Sequence, residues 1–198
     1  MRGCLQADEG GATEPYAVYM SVVGIGQVTN AGRYAVLHAA ADTLLADVEA
    51  RYRTVRTEGL AVDPALIGRG SLRVVRLAPI SPEGAPVTVD YTDFPGLGLR
   101  FGRWYITSLP ICGCDYCDDD PADLIDDLRF MVSAVVAGGF QEYCNGQVSG
   151  TFKSGRRLSS NGGWGNATRA AQDIAQPADN RWHAWIPRSE GRPTPQSV

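Results

Sequence analysis

Three cysteines fall within the six residues Cys112-Gly113-Cys114-Asp115-Tyr116-Cys117. A single thiol packs well in a core, but three in one short stretch point to metal chelation or thiol redox chemistry. Zinc takes thiolates at about 2.3 Å from a common centre, and a short loop brings them there at small entropic cost. Cys112 and Cys114 are two apart, so on an extended chain they face the same way. Gly113 between them allows a left-handed backbone that turns both sulfurs to one centre. Cys117 follows Cys114 at the C-x2-C spacing of zinc knuckles. Three ligands leave a tetrahedron open. The candidates for the fourth are His38, Cys144, His183 and the carboxylates of Asp115 and Asp118. His38 is preferred, because it sits on the core-facing side of the first predicted helix. The expected site is therefore zinc on Cys112, Cys114, Cys117 and His38.

A strand, then Cys114-x-x-Cys117, then a helix also has the outline of a thiol oxidoreductase site. Against that reading, Asp115, Asp118, Asp119 and Asp120 crowd the thiols and are expected to raise their pKa values. The same carboxylates favour a bound cation. His38 has a plainer reading as a helix histidine satisfied by a backbone carbonyl, and His183 as a strand residue between Trp182 and Trp185. Gly24-Ile25-Gly26 lacks the third glycine of a dinucleotide fingerprint, which would fall at Thr29.

The loop needs elements to hold it. Asn30 is expected to cap a helix running to about Arg56, with Tyr34, Leu37, Ala41, Leu44, Val48 and Tyr52 on its apolar face and Gly59 as its stop. Strands are predicted over 72–77, 87–91, 98–101 and 103–106, joined by short turns as an antiparallel meander. Trp104 and Tyr105 point to opposite faces there, so one ring is expected in the core against the helix after the loop. That helix opens with Asp120 as N-cap and Pro121 at its first position, runs along Leu124, Leu128, Met131 and Val135, and ends at Gly138-Gly139. A hairpin around Asn145-Gly146, a short helix over 167–175 and a terminal strand over 181–186 follow. Tyr16 to Val23 reads as a first strand or arm. The expected fold is α+β: one antiparallel sheet of three to five strands with two main helices packed on one face. Residues 1–14 are expected to form a disordered arm, 15–188 a single domain and 189–198 a frayed tail.

Composition narrows the function. A net charge of −4 and a pI near 5.2 argue against a nucleic-acid binder. No apolar run approaches the roughly 20 residues of a membrane span. The opening residues lack the apolar core of a signal peptide, so a cytoplasmic protein with reduced thiols is expected.

Several segments together resemble an uncharacterised family of actinobacterial proteins, a domain of unknown function. They are Val28-Thr29-Asn30 with Arg33-Tyr34, Leu37 to Asp42, Tyr91 to Gly96, Gly102-Arg103-Trp104, Cys112 to Asp118, and Val135 to Phe140. The resemblance brings no activity with it. It implies that the cysteine loop and His38 belong to one recurring unit.

Three functions compete. The first is a cytoplasmic binding or accessory module with a structural zinc, open to a protein partner. The second is an enzyme whose thiolate-rich zinc keeps a vacant position. The third is a thiol redox or metal-handling protein.

Overall fold

The computed structural model describes residues 26–59, 70–145, 147–162 and 178–188. The expected N-terminal arm, the strand over 16–23, the helix over 167–175 and the tail lie outside the described residues.

The first helix is shorter than its apolar spacing predicts. A 3₁₀ turn, Ala31–Ala35, leads into α1, Val36–Arg51, and Asn30 makes no side-chain capping bond. Leu37, Ala41, Leu45 and Val48 form its buried stripe. Tyr52 is already extended, and the expected last turn is instead β1, Thr54–Gly59. The β-branched run Thr54-Val55-x-Thr57 prefers a pleated neighbour to a helix turn, and β2, Ser71–Pro79, supplies one. Gly59, the expected helix stop, is the last residue of β1.

β3 (Val87–Thr92), β4 (Leu97–Phe101) and β5 (Tyr105–Leu109) complete a five-stranded antiparallel meander in the order β1-β2-β3-β4-β5. The register sets Val75 beside Val89 and Val89 beside Leu99, a buried apolar row across three strands. The expected strand over 103–106 begins only at Tyr105, because Gly102 turns the chain at φ 66°. α1 docks on this sheet partly through Asp42, which accepts from the Tyr91 hydroxyl at 2.8 Å and pairs with Arg73 at 2.5 Å.

After the cysteine loop, α2 (Pro121–Val136) starts as its sequence predicts. The Asp120 carboxylate accepts from the Ala122 N–H at 2.8 Å. It ends in a Schellman turn, with Gly138 N–H on Val135 O at 3.0 Å and Gly139 N–H on Ala134 O at 2.8 Å. A Cβ on Gly138, at φ 74°, would lie 2.5 Å from the Ala184 nitrogen, so glycine is required there.

A second antiparallel sheet follows, which the sequence pattern does not separate from the first. β6 (Phe140–Cys144), β7 (Val148–Ser154), β8 (Arg157–Gly162) and β9 (Ala178–Arg181) stand in the order β8-β7-β6-β9. Together the two sheets and two helices make an α+β fold. The terminal strand lies at 178–181 rather than 181–186, and beyond it His183 and Pro187 make only isolated bridges, to Gly84 and Tyr52.

An aromatic cluster joins the two sheets. Phe140 stacks on Phe152 at 4.7 Å, and Phe101 and Tyr105 each meet Phe152 edge-on at 5.3 Å. Tyr105 is thus the core ring of the Trp104-Tyr105 pair, while Trp104 packs half-buried at the margin. A second joint is ionic. The fully buried Glu142 carboxylate accepts from the backbone N–H groups of Arg103 (2.9 Å), Trp104 (2.8 Å) and Tyr105 (3.2 Å), and from the Trp182 indole (2.9 Å). β6 is thereby tied to the β4–β5 turn.

Residues 178–188 strap the molecule together. Trp182 N–H reaches Phe140 O, His183 N–H reaches Glu83 O, and Trp185 N–H reaches Val136 O. The Trp185 indole donates to Ala85 O at 3.0 Å, and the Arg188 guanidinium caps the end of α1 on Glu49 O and Tyr52 O. One strap therefore touches both sheets and both helices.

Candidate metal centre

The cysteine loop spans the gap between β5 and α2, so both its ends are held by regular structure. A cis Leu109–Pro110 bond closes β5. Gly113 sits at φ 74°, the left-handed conformation its position between two thiols predicts, and a Cβ there would lie 2.7 Å from the Phe94 ring. The chain then folds back on itself. Cys114 O accepts from Cys117 N–H at 3.1 Å and from Asp118 N–H at 3.2 Å, and Asp118 takes a positive φ of 44°.

The chain ahead of α1 braces this turn. Asp115 N–H donates to Gln27 O at 2.8 Å, and the Asp115 carboxylate accepts from Thr29 N–H at 3.0 Å. Arg33, on the 3₁₀ turn, pairs with Asp118 at 2.5 Å and donates to the Tyr34 hydroxyl at 2.6 Å. Tyr34 in turn packs on Phe94, with ring centroids 5.9 Å apart.

The result is a group of three sulfurs. Sγ of Cys112, Cys114 and Cys117 all lie within 4.8 Å of one another, and Cys114 and Cys117 are 3.6 Å apart. Zinc–sulfur bonds of about 2.3 Å set sulfur pairs at roughly 3.8 Å, so closing on a metal needs shifts of about an ångström. Cys114 is buried and the other two are half-buried. Such a set can hold a soft or borderline cation.

The electrostatics differ from the sequence expectation. Burial pushes the Cys114 thiol up, but hydrogen bonds from the Gly26 backbone, the Cys112 thiol and Cys117 outweigh it, and the thiol comes down to about 7. Burial, and then the bond to Cys114, push the Cys112 thiol up. The expected rise from the neighbouring carboxylates does not govern Cys114. Asp115 is engaged by Thr29, Asp118 by Arg33 and Asp120 by Ala122. Backbone and thiol donors aimed at the sulfur decide its state.

His38 is not among the mutually close donors of the described residues. Its Nε2 lies 3.0 Å from Gly96 O, and its ring meets Tyr91 edge-on at 5.3 Å. A carbonyl only accepts, so Nε2 is the donor in this contact. His38 approaches the loop through Gly96, where a Cβ would lie 2.8 Å from Leu109 O and 3.3 Å from Pro110. Cys144 and His183 lie apart from the three sulfurs. Cys144 is fully buried in β6, and His183 is exposed with Nδ1 3.1 Å from Glu83.

Two features of the site were not anticipated from sequence: the bracing by residues 26–30 and the pairing of Arg33 with Asp118. An Arg one residue before a buried Tyr carries no distinctive spacing, so no sequence signal marked it. No curated protein and no solved structure matches the chain. A family model does match, over residues 24–189, a span that contains the braced loop, both helices and both sheets. The chain belongs to that family, the family of unknown function DUF6226.

Proposed function

We propose that this protein is a zinc-stapled binding or accessory module, with the metal held by Cys112, Cys114 and Cys117. The observation that supports it is the convergence of three sulfurs within 4.8 Å from one braced loop. A metal there would fasten the start of α2 to β5 and to the chain before α1, so binding energy would become folding energy. A structural site needs a fourth ligand, and His38 is our candidate. Its Nε2–H on Gly96 O is the kind of bond that orients a ligating imidazole, leaving Nδ1 for the metal. Loop and ring would draw together on metal entry.

The test is elemental analysis of protein purified without chelators under reducing conditions. About one zinc per chain is expected, falling to near zero in Cys114→Ser. Metal-free wild-type protein refutes the proposal. Full zinc in His38→Ala refutes only the fourth ligand.

A second reading has its own observation. Cys114 and Cys117 at 3.6 Å need a closure of roughly 1.5 Å to reach disulfide length. In that case the protein is a thiol redox or metal-handling protein. Intact mass after mild oxidation separates the two: a loss of two hydrogens in zinc-loaded protein favours redox, and protection of the thiols favours the staple.

A further inference from the structure

We infer that a cleft on the back of the first sheet, with no cysteine in its lining, binds a small organic dianion whose charged groups are phosphates or carboxylates. The cleft has a volume of about 450 Å³, within the range of small-molecule sites. Arg76, Arg100 and Arg103 line it together with Ser81 and Trp182, and none of its lining residues is acidic. In a chain of net charge −4, three guanidiniums gathered in one concavity are a local reversal of sign.

Strand register places two of them. Arg76 of β2 and Arg100 of β4 both stand beside Thr88 of β3, so they leave the same face of the sheet. Their backbones are roughly 10 Å apart, two inter-strand spacings, which suits a ligand charged at both ends. Arg103 enters from the β4–β5 turn. Its backbone N–H is pinned on Glu142, and its guanidinium lies 5.9 Å from the Trp182 ring. A planar fork with a fixed base is the geometry that recognises carboxylate or phosphate.

The contrast with five ion-paired arginines carries the argument further. Arg33, Arg56, Arg73, Arg129 and Arg157 each pair with a carboxylate. Arg76 and Arg103 have no carboxylate partner among the described residues. Glu83, in the adjoining β2–β3 turn, is engaged by His183 instead. The Arg76 and Arg103 guanidiniums, lining one cleft, repel each other, and a bound dianion relieves that repulsion.

The experiment is calorimetric titration of the whole protein with inorganic pyrophosphate and, separately, with succinate. Saturable binding of at least one probe is expected, weakening as salt rises. Arg76→Gln and Arg103→Gln should each weaken it by about tenfold or more, since each removes charge-assisted hydrogen bonds. Both side chains are exposed, so melting temperatures should stay at the wild-type value. Arg129→Gln, on α2, should leave binding unchanged. Binding of pyrophosphate alone assigns phosphate chemistry, and of succinate alone carboxylate chemistry. Absence of saturable binding for both probes overturns the inference. So does binding that is unchanged in Arg76→Gln and Arg103→Gln, or equally weakened in Arg129→Gln.

Discussion

Replacing Glu142 with glutamine changes one atom and should be among the most damaging substitutions in the chain. The wild-type carboxylate faces four donors and no acceptor: Oε1 takes Arg103 N–H and the Trp182 indole, and Oε2 takes Trp104 and Tyr105 N–H. Glutamine offers one carbonyl and one NH₂. With the NH₂ at the Oε2 position Trp104 and Tyr105 N–H are left unsatisfied; at the Oε1 position the Trp182 indole is, while Arg103 N–H keeps a longer bond to Oε2 at 3.2 Å. Each buried orphan costs about 1–3 kcal/mol, and the surviving bonds lose their charge assistance. The side chain is fully buried and Gly102 packs hard against it, so water has no room to repair the loss. The expected destabilisation is about 3–5 kcal/mol. For a chain of this size that is a fall in melting temperature of roughly 6–20 °C. Urea unfolding followed by circular dichroism at pH 7 measures it, with Asp126→Asn, an exposed carboxylate on α2, as the control expected within about 0.5 kcal/mol. A Glu142→Gln protein within about 1 kcal/mol of wild type would show that the four donors find other acceptors, and the reasoning would fail.

Other substitutions read other parts of the argument. Gly113→Ala forces an L-residue to φ 74° and a Cβ to 2.7 Å from the Phe94 ring, so it should cost about 1–3 kcal/mol and lower zinc content together; normal zinc binding would show that the left-handed turn does not set the sulfurs. Asp90 is buried, and burial raises its pKa against the opposing hydrogen bond from Ser71. A raised folded-state pKa contributes stability below the unfolded value of about 3.9 and loses it as pH rises through the folded value. Asp90→Asn should therefore gain on wild type between pH 4 and pH 7, as melting curves across that range will show; a constant difference would deny the titration. Chelator treatment should loosen residues 112–124 in hydrogen exchange and leave the β1–β5 meander protected, whereas uniform exposure would mean that the metal holds the whole fold.

Much of this was legible where local chemistry agrees with the final structure. Asp120, Pro121 and Gly138-Gly139 mark both ends of α2 without reference to anything distant. The meander was readable because each strand pairs with its sequence neighbour. The cysteine loop was readable because its three thiols lie within six residues. The misreadings share a cause. Tyr52 continues the apolar spacing of α1, yet Thr54 to Gly59 leave the helix because β2 offers an edge that the sequence does not display. β9 docks beside β6 across 33 intervening residues, between Cys144 and Ala178, and no local pattern encodes such a pairing. Glu142 alternates inward with Phe140 and Cys144, and a lone carboxylate on a buried strand face was the signal that could have marked the ionic joint. The state of Cys114 depended on where the backbone of Gly26 and Cys117 and the thiols of Cys112 and Cys117 point, which composition around the loop does not reveal.

The strap of residues 178–188 bears on how the molecule is made. On a translating ribosome the pairs of the β1–β5 meander emerge together and can form as they appear. The strap follows Leu109 by about 70 residues, or roughly 4–15 s at ordinary elongation rates. Through that interval the Ala85 carbonyl lacks the Trp185 indole, and Glu142, once made, lacks that of Trp182. Until the strap emerges, the surface that Trp185 covers, the Tyr52 ring included, stays open to a chaperone. Ribosome-bound chains ending at Gly162 and carried clear of the exit tunnel by a linker should be cut readily by protease within the second sheet, and chains that include residues 178–188 ahead of the same linker should resist. The fastening of this fold would then come only after both sheets have been made, and a product truncated before Ala178 would lack it.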